Sequence, residues 1–272
     1  MSNYIKRQGE VIASEFRVTI SKRYHKITSA INKEFRKINS DTLNSFYVGS
    51  YGRGSAVNTS DIDILVVLPE EEYYHYDAIK SNGQSRLLQA VRQALLVSYP
   101  TSEIRADGQI VKINFKDGIK FEILPAFKKI DLFGTWDGTY RYPDSNSGGR
   151  WYSTNPKAEQ EAMKYKNNTS NGLLLDTCKH LRFVRDNNFR SYYLSGIVID
   201  SFVYEAIGNW RWLTQGESST SERGTYEKHL LEYLNNNSIW GELYLRAPGS
   251  GDKVDTSKSI ECLKKVLEYI AY

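Results

Sequence analysis

The sequence has little cysteine, no long apolar run and no marked excess of one charge. Its two cysteines, Cys178 and Cys262, form no C-x-x-C pair, which excludes a disulfide scaffold and a cysteine-based zinc site. No apolar run approaches the ~20 residues that span a bilayer. The first residues lead into a polar amphipathic stretch rather than the apolar core of a signal peptide. We therefore expect a cytoplasmic protein without a membrane segment.

Several catalytic signatures are also missing. The four histidines are scattered without metal-ligand spacing, and residues 49–55 lack the Gly-Lys-Ser/Thr ending of a phosphate-binding Walker A loop. Among 272 residues, 36 are basic and 32 are acidic, which gives a net charge of +4. This mild excess suits small anionic ligands, and we expect no nucleic-acid partner.

Hydrophobic periodicity predicts a two-lobed α/β protein, with a first domain over residues 1–150 and a second over 151–272. Apolar residues from Ile5 to Ile38 recur at steps of three, four or seven, which predicts one long helix weakened at Gly9. The other elements predicted in the first domain are strands 46–48 and 62–68, a helix over 85–97, and a hairpin of strands 110–115 and 119–124.

The second half of the chain is predicted to be helical. Residues 133–155 show no clear period and predict a long ordered loop. After Pro156, five helices are predicted, over residues 158–166, 173–184, 192–207, 226–234 and 257–271.

Three acidic residues are candidate catalytic metal ligands. Asp61 and Asp63 lie two residues apart at the start of a strand, so their side chains project from the same face. Adjacent like charges need a compensating cation, and Mg²⁺ prefers carboxylate oxygens. Glu122, between two apolar residues of a second strand, also needs a partner if it faces inward. Alternatively, the D-x-D pair lies on a surface loop and Glu122 faces solvent from an edge strand.

Gly49 and Ser50 follow a strand and precede a predicted short helix. A glycine lets the backbone approach a phosphate closely, and a serine hydroxyl together with N–H groups at a helix start can hold phosphate oxygens. The order Gly-Ser, Asp-x-Asp and strand acid is much rarer than any one of its parts. Together these residues predict nucleotidyl transfer, in which two metal ions stabilise an in-line displacement at an α-phosphate.

The segments 49–55 (GSYGRGS) and 60–65 (SDIDIL) resemble the signature of DNA polymerase β-like nucleotidyltransferases. More narrowly, they resemble bacterial cyclic-oligonucleotide synthases related to cyclic GMP–AMP synthase and oligoadenylate synthase, the CD-NTase family. Residues 121–126 (FEILPA) resemble the strand with the family's third metal-binding acid, although the family often has Asp where this chain has Glu122. Residues 151–156 (WYSTNP) resemble the segment that leads into the helical lobe.

The resemblance implies a polymerase β-like lobe with a mixed sheet and a helical second lobe, bridged by the long N-terminal helix, with two nucleotides bound between the lobes. It implies joining of ATP, GTP, UTP or CTP into a cyclic di- or trinucleotide second messenger, with release of pyrophosphate and a role in antiviral defence. Two Mg²⁺ ions, or Mn²⁺ in their place, would be held by Asp61, Asp63 and Glu122. An activator protein and an effector that binds the cyclic product are the implied partners.

Two basic residues of the second lobe are candidate nucleotide ligands. On the predicted helix over 173–184, Arg182 falls within the apolar face and Lys179 lies at its edge. A guanidinium on a core-facing stripe is unfavourable unless an anion meets it, and a triphosphate would be such an anion. In the family, two basic residues with this spacing hold the donor phosphates. The alternative is that both side chains extend along the surface to solvent.

Ser191 and Tyr192 begin the next predicted helix. They resemble the family's Ser-Tyr pair, which contacts phosphate and stacks on the donor base. Stacking of a base on an aromatic ring contributes roughly 1–3 kcal/mol and tolerates different bases. Tyr192 could equally be an interfacial aromatic, because the chain contains 20 tyrosines.

Two alternatives to a cyclic synthase remain open from the residues alone. The same chemistry could give a linear product, as in an oligoadenylate synthase or a transferase that modifies RNA or a small molecule. The chain could also be a nucleotide-binding module without turnover, although the intact set of three acids argues against this.

Overall fold

A computed structural model describes residues 4–9, 11–239 and 241–272 of the chain. The fold consists of two compact units. The sheet unit comprises residues 13–52 and 60–157, and the helical unit comprises residues 1–12, 53–59 and 158–272. Compared with the predicted division at 150/151, the helical unit starts later and also takes two earlier segments of the chain.

Helices and strands are numbered in chain order. The helices are α1 Ser14–Ile31, α2 Gly49–Arg53, α3 Glu70–Asp77, α4 Gly83–Ser98, α5 Pro156–Thr169, α6 Leu173–Asn188, α7 Gly196–Ala206, α8 Thr225–Asn237 and α9 Ile260–Ala271. The strands are β1 Ser45–Tyr47, β2 Ile62–Val67, β3 Glu103–Asp107, β4 Ile110–Asn114, β5 Lys120–Ile130, β6 Trp136–Asp144, β7 Arg150–Thr154, β8 Ser238–Ile239, β9 Glu242–Leu243, β10 Leu245–Arg246 and β11 Lys253–Val254. This mixture of helices and a mixed sheet confirms the predicted fold class.

The N-terminal helix is shorter than predicted. It begins at Ser14 and continues into a π-helical turn that ends at Arg36. Gly9 has a φ of +58°, and Ile5 is buried in the core of the helical unit, where its N–H donates to Glu227 at 2.9 Å. Residue 10 of the predicted range lies outside the described residues. The prediction of one continuous helix from Ile5 is therefore wrong, because Ile5 packs in the core of the helical unit whereas the helix that begins at Ser14 belongs to the sheet unit.

The sheet unit is built on a mixed sheet, which has seven strands within the described residues. Its main order is β1-β2-β5-β4-β3, and β6 pairs with both β5 and β7. β2 and β5 run parallel, whereas the other pairs are antiparallel. Alternation along β2 and β5 buries Ile62, Ile64, Phe121 and Ile123 on one face. The alternate residues of these strands therefore project from the opposite face.

Of two predictions made for the sheet unit, one is confirmed and one is wrong. The predicted hairpin is confirmed as β4 and β5, which pair in antiparallel register. The long loop predicted over residues 133–155 is wrong, because that segment contains β6 and β7. These strands carry few aliphatic residues and have no clear apolar alternation, so their pairing with β5 and with each other, rather than a local pattern, defines them.

The helical unit buries an apolar cluster contributed largely by α6, α7, α8 and α9. On α9 four of the five fully buried residues recur at steps of three and four, which explains why that helix was recognisable: Leu263, Val266, Leu267 and Ile270. In the described part of the chain, no helix combines the length and the apolar character needed to cross a bilayer.

All five helices predicted after Pro156 are present, but the third and the fifth begin later than predicted, the fifth at Ile260 rather than at residue 257. α7 starts at Gly196 rather than Tyr192, because Ser195 caps it: the Ser195 hydroxyl accepts a hydrogen bond from the Val198 N–H. Ser191 and Tyr192 therefore lie in the loop before the helix and not in its first turn.

Candidate active site

The three predicted acids lie at neighbouring positions of the sheet. Asp61 immediately precedes β2, and Asp63 is the second residue of that strand. In the parallel register of β2 and β5, Asp63 is the direct partner of Glu122. Paired residues on adjacent strands project from the same face, so the register places Asp63 and Glu122 side by side.

Three neighbouring charged side chains influence the pKa of Glu122. Burial raises the pKa of Glu122, the Lys112 ammonium opposes this effect, and the negative charges of Asp61 and Asp107 add to it. Lys112 Nζ lies 3.4 Å from Glu122 Oε1 and 3.0 Å from Asp107 Oδ2. Asp61 and Glu122 are therefore close enough to repel each other, and Lys112 supplies the cation that Glu122 meets.

The donor set suits a hard divalent cation, because Mg²⁺ binds carboxylate oxygens and the acids carry mutually repelling charges. In the part of the chain that the structure describes, no three His, Cys, Asp or Glu side chains are arranged so that they could hold a metal ion. At this site the Glu122 carboxylate is paired with Lys112, while the residue types fit a divalent cation.

Gly49 brings the Gly-Ser turn directly against Asp63. Its φ is +57°, and a Cβ at this position would overlap Asp63 Oδ2 and lie 2.6 Å from Asp63 Cγ. The neighbouring Val48 N–H donates to the Asp63 carbonyl at 2.9 Å. Ser50 is the next residue of α2. The two halves of the sequence motif, separated along the chain, are therefore in contact through Gly49 and Asp63.

Gly49→Ala is expected to lower the predicted nucleotide turnover about a hundredfold or more, because it would displace Asp63, one of the three predicted metal ligands. Activity is measured as release of pyrophosphate, and folding as the thermal unfolding temperature. The matched control is Gly118→Ala, because Gly118 has a φ of +87° but open space around the added Cβ. Both variants incur the strain of a positive φ, so equal activities would show that close packing of Gly49 on Asp63 is unimportant.

Arg182 does not reach a phosphate from this structure. The residue is 1% exposed, and its Nη1 lies 2.7 Å from Asp200 Oδ1. The same guanidinium donates to the carbonyls of Cys178 and Gly196. The expectation that an anion must meet this buried guanidinium is fulfilled, but the anion is a carboxylate of α7. The predicted triphosphate contact of Arg182 is therefore corrected to an internal ion pair with Asp200.

Asp200 is the centre of a buried ion-pair network that the sequence analysis missed. Its Oδ2 accepts hydrogen bonds from Arg53 Nε at 2.9 Å and from the Ser55 hydroxyl at 2.8 Å. Arg53 Nη1 also lies 2.7 Å from Glu159 Oε2. Although burial alone would raise the pKa of Asp200, Arg182 and Arg53 lower it to about 2. The available signal was an aspartate in the middle of the apolar helix α7, which needs buried cationic partners.

Lys179, Ser191 and Tyr192 also lie in the helical unit, and they are more accessible than Arg182. Lys179 Nζ donates to the carbonyl of Gly9 at 3.0 Å. Ser191 is exposed, and Tyr192 is 38% exposed with the Lys265 ammonium 4.8 Å from its ring centroid. The phenol ring thus already makes a cation–π contact in the loop before α7.

A cavity of about 680 Å³ in the helical unit contains none of the predicted site residues. On its walls, Arg211 makes two hydrogen bonds to Glu217 at 2.7 and 2.8 Å. Trp212 Nε1 donates to Asp176 at 2.8 Å. Because none of the residues predicted for the reaction lines this cavity, it is a weaker candidate than the acids of β2 and β5.

Comparison with known families identifies one match. The sequence profile of the Second Messenger Oligonucleotide or Dinucleotide Synthetase domain matches residues 7–167. This segment is more than half of the chain and includes Gly49, Ser50 and the three acids. No curated protein sequence matches the chain.

Solved structures with the same fold include three nucleotide synthases. The CdnE cyclic dinucleotide synthase of Elizabethkingia meningoseptica, determined with GTP and Apcpp, has a TM-score of 0.63 at 13% identity, over 95% of this chain and 97% of that chain. The STING-associated CdnE c-di-GMP synthase of Capnocytophaga granulosa has a TM-score of 0.64 at 15% identity, over 96% and 81%. The CdnE c-UMP-AMP synthase of Rhodothermus marinus, with Apcpp and Upnpp, has a TM-score of 0.61 at 15% identity, over 93% and 89%. At these identities the likeness establishes the fold.

Proposed function

This chain belongs to the family of Second Messenger Oligonucleotide or Dinucleotide Synthetases, which are nucleotidyltransferases, and we propose that it joins nucleoside triphosphates into a cyclic di- or trinucleotide and releases pyrophosphate. The observation that carries this proposal is the register of β2 and β5. It sets Asp63 beside Glu122, with Asp61 two residues before Asp63. Nucleotidyl transfer requires carboxylates held in this way on rigid strands.

Asp61, Asp63 and Glu122 are the proposed ligands of two Mg²⁺ ions, which Mn²⁺ could replace. Bound ions of this kind neutralise the triphosphate and lower the pKa of the attacking hydroxyl. The contribution of the chain is to fix the oxygen ligands: Gly49 packs against the Asp63 side chain, and the strand register holds Glu122 beside it.

The proposed nucleotide ligands lie in both units. In the sheet unit, Gly49 and Ser50 are proposed phosphate ligands, with the Ser50 hydroxyl donating to a phosphate oxygen. In the helical unit, Lys179 and Ser191 contact phosphate and Tyr192 stacks on a base. The substrates are ATP, GTP, UTP or CTP.

The decisive experiment incubates the purified chain with all four nucleoside triphosphates and Mg²⁺, followed by phosphatase treatment and mass spectrometry. A phosphatase-resistant product formed with release of pyrophosphate is the expected result, because only a closed ring lacks terminal phosphates. Products that phosphatase degrades would indicate a linear oligonucleotide synthase. Binding of nucleotides without pyrophosphate would indicate a module without turnover.

The biological part of the proposal follows from the resemblance alone. The cyclic product would act as a second messenger in antiviral defence, and a downstream effector would bind it. An activator protein is a further proposed partner. Production of the messenger only after infection, in bacteria that express the chain, would support this part independently of the product's chemistry.

A further inference from the structure

Lys112 projects from β4 toward the face of the sheet that carries the candidate metal ligands. In the antiparallel register it is the direct partner of Glu122, which in turn pairs with Asp63. Paired positions share a face, and Lys112 Nζ accordingly lies 3.4 Å from Glu122 Oε1. A cation of the chain itself is therefore fixed beside the third proposed ligand.

A second acid keeps this lysine in place. Asp107, on the neighbouring strand β3, lies 3.0 Å from Lys112 Nζ, closer than Glu122. Asp107 is therefore a second ionic partner that holds the ammonium beside the proposed metal ligands independently of Glu122.

The packing of β4 does not require a charged residue at this position. The neighbouring residues Val111 and Ile113 are fully buried on the other face of the strand. The Lys112 side chain is 38% exposed, so a neutral polar side chain of similar length can replace it without filling or emptying the core. Its interaction with the acids is what distinguishes it from other residues on the hairpin.

We propose that Lys112 sets the affinity of the site for divalent cations by competing with them for Glu122. A cation that binds Glu122 must break the ion pair with Lys112 and then lie near an ammonium that Asp107 retains. Both effects weaken cation binding, so the site is occupied only at higher cation concentration than three unopposed carboxylates would need. This inference rests on the proposed function of Asp61, Asp63 and Glu122.

The test measures binding of Mn²⁺ alone to the full chain by electron paramagnetic resonance of the free ion. Lys112→Gln is expected to lower the Kd for Mn²⁺ about tenfold, because one positive charge near a divalent ion is removed and Glu122 is released. The matched control is Lys116→Gln, which removes the same charge from the exposed turn of the same hairpin. Its Kd should stay within about twofold of the unmodified chain, since the separation and solvent screen the charge. An unchanged or higher Kd for Lys112→Gln would overturn the proposal.

Two further variants keep the test decisive if Lys112→Gln folds poorly. Lys112→Arg retains the charge and can bind a carboxylate through two N–H groups, so its Kd should be equal to or higher than that of the unmodified chain. Tighter Mn²⁺ binding by Lys112→Arg would contradict competition. In a Glu122→Gln background, the effect of Lys112→Gln should shrink to about threefold or less, because only the charge repulsion remains. A full tenfold effect there would show that Lys112 does not act through Glu122.

Failure of this inference differs from failure of the proposed function. If Mn²⁺ binds the unmodified chain and Asp61→Asn removes that binding, the metal site is real, and an unchanged Lys112→Gln variant would refute only the role of Lys112. If the unmodified chain binds no Mn²⁺, both proposals fail together.

Discussion

Asp61→Asn is expected to lower nucleotide turnover about a thousandfold or more, because metal-ion stabilisation of the transition state contributes several kcal/mol. An amide oxygen has no net charge and is a weak ligand for Mg²⁺, so the substitution removes metal affinity while preserving the size of the side chain. Pyrophosphate release at saturating nucleotide and Mg²⁺ measures the effect.

The same substitution should leave the protein at least as stable as before. The negative charge of Asp61 contributes to raising the pKa of Glu122, which means that the two carboxylates repel each other in the folded state. A neutral amide relieves this repulsion, so the thermal unfolding temperature should stay equal or rise slightly. Loss of activity without loss of stability is the expected signature of a catalytic acid rather than a structural one.

Asp137→Asn is the matched control for this prediction. Asp137 is an exposed acid on β6 whose carboxylate accepts the Thr139 N–H, and its substitution makes the same chemical change away from the site. Turnover of this variant should stay within about twofold, as expected for a surface substitution. Substantial activity in Asp61→Asn, or an equal loss in Asp137→Asn, would refute the assignment of the metal ligands.

Asp200→Asn is expected to lower the free energy of unfolding by about 3–5 kcal/mol, because it removes one partner from a buried ion-pair network. The Asp200 side chain is fully buried and meets Arg182 at 2.7 Å and Arg53 at 2.9 Å. With an amide in its place, Arg53 retains only Glu159 as a charged partner, and Arg182 retains only the carbonyls of Cys178 and Gly196 as hydrogen-bond acceptors. Urea denaturation followed by circular dichroism measures the loss.

A control on the same helix separates this effect from a general sensitivity of α7. Glu205 is partly exposed, and its carboxylate accepts the Arg246 N–H at 3.2 Å. Glu205→Gln should cost less than about 1 kcal/mol, because the amide can still accept that hydrogen bond and solvent reaches the group. A loss below about 1 kcal/mol for Asp200→Asn itself would mean that the network contributes little to stability.

The ionisation of Asp200 also predicts a dependence on pH. Its pKa is lowered from the ordinary value of 3.8 to about 2 in the folded chain, so the folded state binds this proton less readily than the unfolded state. The resulting stabilisation is present above about pH 4 and is lost as the pH falls toward 2. It amounts to roughly 2 kcal/mol. Asp200→Asn should lack this part of the acid sensitivity, which comparison of urea midpoints between pH 5 and pH 2.5 would reveal.

Much of the fold could be predicted where one segment carries its own pattern. The steps of three and four along α9 and the hairpin of β4 and β5 were recognisable because their apolar residues repeat with the period of the structure. The strands over residues 136–154 were not, because their pairing partners rather than their own residues determine them. The prediction of one helix from Ile5 is wrong for a related reason. The apolar spacing continues across Gly9, but Ile5 packs in the core of the helical unit and the helix that begins at Ser14 belongs to the sheet unit.

In the candidate site, too, some residues could be identified from a local sequence pattern and others could not. Gly49, Ser50, Asp61 and Asp63 were identifiable as a candidate motif, because the predicted phosphate and metal binding would restrict which residues can stand there within a short stretch of chain. Arg182 illustrates the limit: its position on an apolar helix face required an anion, but the sequence offered no means of choosing between a ligand and Asp200 of the next helix.

The amino-acid order alone predicts the chemical types at the candidate site and the helix or strand that carries most of them. The pairing of Asp63 with Glu122, the capture of Glu122 by Lys112 and the partner of Arg182 emerged only from the folded chain. These contacts join residues far apart in sequence. Strand register and helix packing, which lower the free energy of the whole assembly rather than of any one segment, select which of many chemically acceptable partners meet.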